Sequence, residues 1–125
     1  MFICHLLPIG KPRQTRSDKW KQRPCVIRYR SFADQLRAEA AKQNFTIVNG
    51  LHYLFLIPMP ISWSDREKAI KNKTWCDQKP DIDNIIKAIF DSLCKEDKAI
   101  AWIGSAKKVW SQRPGILISN SPINY

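Results

Sequence analysis

The chain has 125 residues, 44% of them hydrophobic and 26% charged, which is an ordinary composition for one folded domain. Its 21 Lys and Arg residues outnumber its 11 Asp and Glu residues, and the resulting net charge of +10 favours nucleic acid as a partner. No signal peptide, membrane span or zinc-finger spacing is present, so we expect a single cytoplasmic domain over residues 1–125 that does not bind membranes.

The N-terminal half predicts two strands, a basic loop and a helix. Apolar residues over Phe2–Ile9 favour a first strand. Eight basic residues and a single acid fall within residues 10–30, which predicts a flexible loop that binds phosphates. A helical apolar spacing follows over Ser31–Gln43, with the serine as the expected N-cap. Residues 47–57 are rich in β-branched and aromatic side chains and predict a strand, with a turn or bulge at Asn49-Gly50.

The C-terminal half predicts two helices and two more strands. Ser64 and Glu67 have the spacing of a capping box, which predicts a short helix to about residue 72. An apolar stripe predicts a second helix from about Asp83 to Leu93. Strands are predicted over Ile100–Trp110 and Gly115–Ser119. The expected fold class is therefore α/β (α+β): one small domain with a mixed sheet of about four strands and two or three helices.

Acidic residues flank the second predicted helix. Asp81 should lie in extended chain just before it and Asp83 in its first turn, so both carboxylates can address one site. Glu96-Asp97 follows the helix, and a short return of the chain can bring Asp97 towards the same place. Three carboxylates suit Mg²⁺ or Mn²⁺, because these ions prefer oxygen ligands. The alternatives are a solvated Asp81 and an Asp83 that only stabilises the helix N-terminus.

Two further side chains share the exposed side of this helix. Lys87 and Asp91 follow Asp83 at intervals of four residues. Asp91 is interpreted first as a member of a surface ion pair, with a supporting contact to Lys87 or a fourth metal ligand as alternatives. Trp75, shortly before the acids, is expected to pack in the core or at an interface, with stacking on an unpaired base as the alternative.

Several motifs together resemble the RusA family of Holliday-junction resolvases, and the resemblance covers about residues 10–110. The Lys-Pro-Asp-x-Asp-Asn…Lys string is its most specific part. The motifs are Gly10-Lys11-Pro12-Arg13, Ser62-Trp63-Ser64, Lys79-Pro80-Asp81-Ile82-Asp83-Asn84-Ile85-Ile86-Lys87-Ala88, Asp91 and Glu96-Asp97-Lys98.

The resemblance implies a homodimeric, Mg²⁺-dependent endodeoxyribonuclease that acts in DNA recombination and repair, in a bacterial or prophage setting. Such an enzyme resolves four-way junctions by paired symmetrical nicks. The family's acidic metal-binding and catalytic residues fall on Asp81, Asp83 and Asp97. The expected DNA-binding residues are Lys87, by this resemblance, and the members of the basic segment Lys11, Arg13 and Arg16.

The chain departs from the family pattern around the third acid. The stretch after the helix is short, and Glu96-Asp97 stands where two aspartates are usual, so Glu96 is the alternative third ligand. Two other functions are open at this point. One is a nuclease for branched DNA in general, including flaps and forks, and the other is a basic DNA-binding protein without catalysis.

Overall fold

A computed structural model of the chain describes residues 1–13 and 23–125, apart from the side chain of Asp97. Its strands are β1 (Phe2–Cys4), β2 (His52–Pro58), β3 (Ser105–Ser111) and β4 (Gly115–Ser119). Its α-helices are α1 (Pro24–Lys42), α2 (Asp65–Lys71) and α3 (Ile82–Leu93), and a 3-10 helix spans Asp97–Ala99. None of the described helices is long and apolar enough to cross a membrane.

The four strands form one mixed sheet in the order β1-β4-β2-β3. β4 pairs antiparallel with both β1 and β2, whereas β2 and β3 are parallel. A parallel pair needs a crossover between its strands, and here the crossover contains α2 and α3. The predicted class of fold, with four strands and three helices, is confirmed, and the acidic motif lies on this crossover.

The main core lies between one face of the sheet and helices α1 and α3. Its fully buried members include Leu36, Phe55, Ile85, Ile89 and Ile116, all with 0% exposure. The other face of the sheet carries a smaller cluster built on Leu54, Val109 and Ile123.

Helix α3 is held in this core by the apolar stripe that predicted it. Ile85, Ala88 and Ile89 are buried at the spacing of one helical face. Buried Ser92 satisfies its hydroxyl by donating a 2.7 Å hydrogen bond to the carbonyl of Ala88. The opposite, polar side of α3 is consequently fixed towards solvent.

Two local signals in the sequence are also confirmed. The Ser64 hydroxyl accepts a 3.2 Å hydrogen bond from the backbone N–H of Glu67 and so caps α2. Gly50 has a φ of +82°, which allows the tight turn before β2. Asn49 stabilises that turn by accepting a 2.7 Å hydrogen bond from the N–H of Ala101.

Helix α1 begins seven residues earlier than predicted, so the prediction of Ser31 as its N-cap is wrong. Pro24 occupies the first turn, where its missing N–H costs nothing, and Arg23 is the extended N-cap residue. Val26 and Tyr29 are buried and continue the apolar stripe towards the N-terminus. The predicted basic loop is therefore wrong for residues 24–30, which are helical.

Three strand predictions were too long. β1 ends at Cys4, β2 begins at His52 and β3 begins at Ser105.

Candidate active site

The start of α3 presents the two acidic side chains that the sequence singled out. Asp81 is the N-cap residue, with extended backbone angles of φ −65° and ψ 142°, and Asp83 lies in the first turn. Both residues are exposed, and the Asp81 carboxylate makes no capping hydrogen bond to the helix. The predicted placement of these two residues is confirmed, and their carboxylate oxygens are accessible to a ligand.

The chain that leads to Asp81 runs antiparallel along the outer edge of β3. Lys73 N–H donates to the carbonyl of Trp110 at 2.8 Å, and Trp110 N–H donates to the carbonyl of Thr74 at 2.9 Å. Cys76 N–H donates to the carbonyl of Lys108 at 3.0 Å. Main-chain hydrogen bonds to a core strand therefore fix the chain segment that precedes the acidic pair.

Lys87 lies one helical turn after Asp83 and points to the same side. Its amine is 3.9 Å from an Asp83 carboxylate oxygen, and the two side chains are 67% and 72% exposed. An ion pair this long and this exposed contributes little to stability. The Lys87 ammonium is therefore available to an anionic ligand beside the Asp83 carboxylate.

Asp91 makes two contacts that the sequence did not predict. Its carboxylate accepts a hydrogen bond from the buried Tyr29 hydroxyl and pairs with the Lys11 amine at 3.1 Å. The Tyr29 hydrogen bond is the main reason why the pKa of Asp91 is lowered, with Lys11 adding to the effect and burial opposing it. Burial, and then the Asp91 carboxylate, raise the pKa of Tyr29.

Asp91 has a structural role on the surface of α3. It joins the N-terminal segment, α1 and α3, and it has no contact to Lys87 among the ion pairs of the described residues. Tyr29 falls within residues 10–30, for which the charge predicts a loop, so local spacing gives no signal for this pair.

The basic N-terminal segment lies along α3. A Cβ atom on Gly10 would be 2.5 Å from Asn84 Nδ2, so any other residue at position 10 would force the Asn84 side chain to shift. Lys11 N–H donates to the Asn84 carbonyl at 3.4 Å. The structure thus brings Lys11 to the helix that carries the acids and leaves Arg13 exposed nearby in the chain, while Arg16 lies outside the described residues.

The role of Asp97 as the third metal ligand stays a prediction. Asp97 begins the 3-10 helix, and its side chain is outside the described part of the structure. Glu96 is exposed and pairs with Lys98 at 3.7 Å. Among the described side chains, no three His, Cys, Asp or Glu residues form a metal-binding group. The described part of the site therefore consists of the pair Asp81 and Asp83.

Trp63 and Trp75, which precede the acidic pair in sequence, differ in their surroundings. Trp63 packs edge-on against buried Trp110, with ring centroids 4.9 Å apart. Trp75 is 69% exposed, so it does not pack in the core, and packing at an interface or stacking on an unpaired base stays a prediction. Its neighbour Cys76 is buried in the core, away from solvent.

Accessible carboxylates at a helix start, with Lys87 beside them in a strongly basic chain, suit metal-assisted cleavage of phosphodiester bonds. The sequence matches the family Endodeoxyribonuclease RusA over residues 6–119 of its 125 residues, and the chain belongs to this family. It is therefore an endodeoxyribonuclease, and its family implies activity on Holliday junctions. No curated protein and no solved structure matches the chain.

Proposed function

We propose that this enzyme resolves four-way DNA junctions by cutting two symmetry-related strands, with a divalent metal ion bound by Asp81, Asp83 and Asp97. The observation that carries the proposal is the pair of accessible carboxylates at the start of α3, one helical turn from Lys87. The family match covers the whole of this region.

The chemistry of the described residues suits a hard divalent ion. Asp81 and Asp83 offer only carboxylate oxygens, and neither carboxylate is occupied by a capping bond or a close ion pair within the described residues. Mg²⁺ and Mn²⁺ prefer such ligands, and they are commonly held by one or two carboxylates together with substrate phosphate. An ion held there supplies Lewis-acid stabilisation of the charge that builds on the scissile phosphate.

The chain's own residues bind and orient the DNA around this site. Lys87, beside Asp83, neutralises a phosphate of the strand to be cut. The segment around Lys11 and Arg13 adds phosphate contacts along α3, so binding to the junction weakens as salt rises. Arg16 belongs to the same basic segment in sequence and takes the same role.

The enzyme acts as a homodimer in this proposal. A four-way junction offers two symmetry-related strands, and a two-fold dimer presents one acidic site to each of them. In sedimentation analysis we expect a particle of twice the 14.5 kDa chain mass. A monomer at the concentrations that support paired cutting would contradict this part of the proposal.

The test is cleavage of a synthetic four-way junction beside a flap, a fork and a linear duplex of the same sequence. Each substrate is incubated with Mg²⁺, with Mn²⁺, or with a chelator. We expect paired nicks in opposite strands of the junction, only when a divalent ion is present.

Two results would contradict the proposal in different ways. Faster cleavage of flaps or forks than of the junction would favour a general nuclease for branched DNA. Unchanged cleavage in the presence of the chelator would remove the metal ion from the mechanism.

A further inference from the structure

Lys108 contacts the chain immediately before the acidic pair. It lies on β3, opposite the buried Phe55 of β2 in the register of the sheet. Its ammonium donates hydrogen bonds to the carbonyls of Gln78, at 2.5 Å, and Pro80, at 2.9 Å. Asp81 is the next residue in the chain, so one side chain of the sheet holds the peptide that carries the first carboxylate.

The main chain of Lys108 holds the same segment at a second point. Its carbonyl accepts the 3.0 Å hydrogen bond from Cys76 N–H. The Cys76 thiol in turn donates a 3.7 Å hydrogen bond to the Gln78 carbonyl. Residues 76–80 are therefore attached to one position of β3 by contacts at 76, 78 and 80.

We propose that Lys108 is a positioning residue, which fixes the backbone ahead of α3 so that the Asp81 and Asp83 carboxylates are preorganised for the metal ion. The inference rests on the proposed function, because it assumes that these two acids bind the ion. Its physical basis is that the two carbonyls bonded to Lys108 would lose a charge-assisted partner without it, and the loop would rearrange.

The proposed positioning role and a purely electrostatic role of Lys108 predict opposite changes in metal affinity when Lys108 is replaced. A lysine ammonium close to a cation site repels the cation, so removing its charge alone should strengthen metal binding. If Lys108 instead positions the carboxylates, its removal should weaken metal binding. Supporting residues around metal ligands typically change affinity by about 10–100-fold.

Lys107 is a matched control on the same strand. Side chains alternate along a strand, so Lys107 points to the opposite face, where it lines a cavity with Trp75 and Val109. Lys107→Met and Lys108→Met remove the same charge and keep a similar apolar stem. Only Lys108→Met removes the contacts to the Gln78 and Pro80 carbonyls.

The experiment measures Mn²⁺ binding to the full chain without DNA, from the electron paramagnetic resonance signal of free Mn²⁺. The parent, Lys108→Met, Lys107→Met and Asp81→Asn proteins are compared, and thermal unfolding reports whether each one is folded. We expect Lys108→Met to bind Mn²⁺ about tenfold more weakly than the parent. Lys107→Met should bind Mn²⁺ like the parent.

The outcomes separate this inference from the proposed function. Parent-like or tighter Mn²⁺ binding by folded Lys108→Met, with binding lost in Asp81→Asn, would overturn the role of Lys108 alone. Parent-like binding by Asp81→Asn would overturn the proposed metal site and the inference with it. If Lys108→Met does not fold, Lys108→Leu and Lys107→Leu provide the same comparison without a hydrogen-bond donor, and unchanged binding by folded Lys108→Leu would likewise overturn the proposal.

Discussion

Substituting Tyr29 by Phe should destabilise the fold through the contact with Asp91. The change keeps the buried ring and removes the hydroxyl that donates to the carboxylate. A hydrogen bond to a charged group contributes roughly 1.5–3 kcal/mol. The Asp91 side chain is 44% exposed, and water can replace part of this interaction, so we expect a loss of about 1 kcal/mol.

Urea unfolding measures this loss, because domains of this size usually unfold in one cooperative step. With a slope of about 1–3 kcal/mol per molar urea, the midpoint should fall by roughly 0.3–1 M. A double-mutant cycle with Asp91→Asn isolates the pair. Strict additivity of Tyr29→Phe and Asp91→Asn would refute the claim that the two side chains stabilise each other.

The pH dependence gives an independent check of the same contact. The pKa of Asp91 is lowered in the folded state from its ordinary value of 3.8, so the ionised carboxylate is the stabilised form. Its contribution is present above pH 3.8 and is lost as pH falls through the lower folded pKa. The stability difference between the parent and Asp91→Asn should be constant near neutral pH and should shrink below about pH 4. A difference that stays the same down to pH 3 would refute this assignment.

Three further predictions test the DNA contact, the α2 cap and the N-terminal segment. Junction binding is titrated at several salt concentrations. Lys87→Ala should weaken binding and reduce by about one the slope of the logarithm of the binding constant against the logarithm of the salt concentration. The control Lys42→Ala, at the exposed end of α1, should leave binding unchanged. Ser64→Ala should lower the unfolding free energy by about 1 kcal/mol in urea without changing the cleavage rate, since only the α2 cap is lost. Gly10→Ala should weaken junction binding, because its Cβ would meet the Asn84 side chain at 2.5 Å and either this side chain or the basic segment would have to move. Parent-like binding would contradict a role of this packing in placing the basic segment.

The sequence predicted those parts of the fold that depend on neighbouring residues. The Ser64 cap, the Gly50 turn and the apolar stripe of α3 each arise from residues within a few positions of one another. The placement of Asp81 and Asp83 followed for the same reason, since it depends only on where α3 begins.

Other features depend on contacts between positions far apart in the chain, which no local pattern of residues predicts. Tyr29 meets Asp91 across 62 residues, and Lys108 meets Pro80 across 28. The start of α1 was missed for a local reason. The charge of residues 10–30 predicted a loop, although Pro24 within them is a residue favoured in the first turn of a helix.

The most direct test of the central claim is the single-turnover cleavage rate of a bound four-way junction by Asp83→Asn and its control Asp65→Asn. Asp65 also lies exposed in the first turn of a helix, so both variants remove a charge from an equivalent position. We predict that Asp65→Asn cuts at the parent rate. Asp83→Asn should bind the junction and cut it more than about 100-fold slower, beyond the effect typical of residues that only support metal ligands. Cleavage by Asp83→Asn at the parent rate would contradict the assignment of the acids at the start of α3 as the active site.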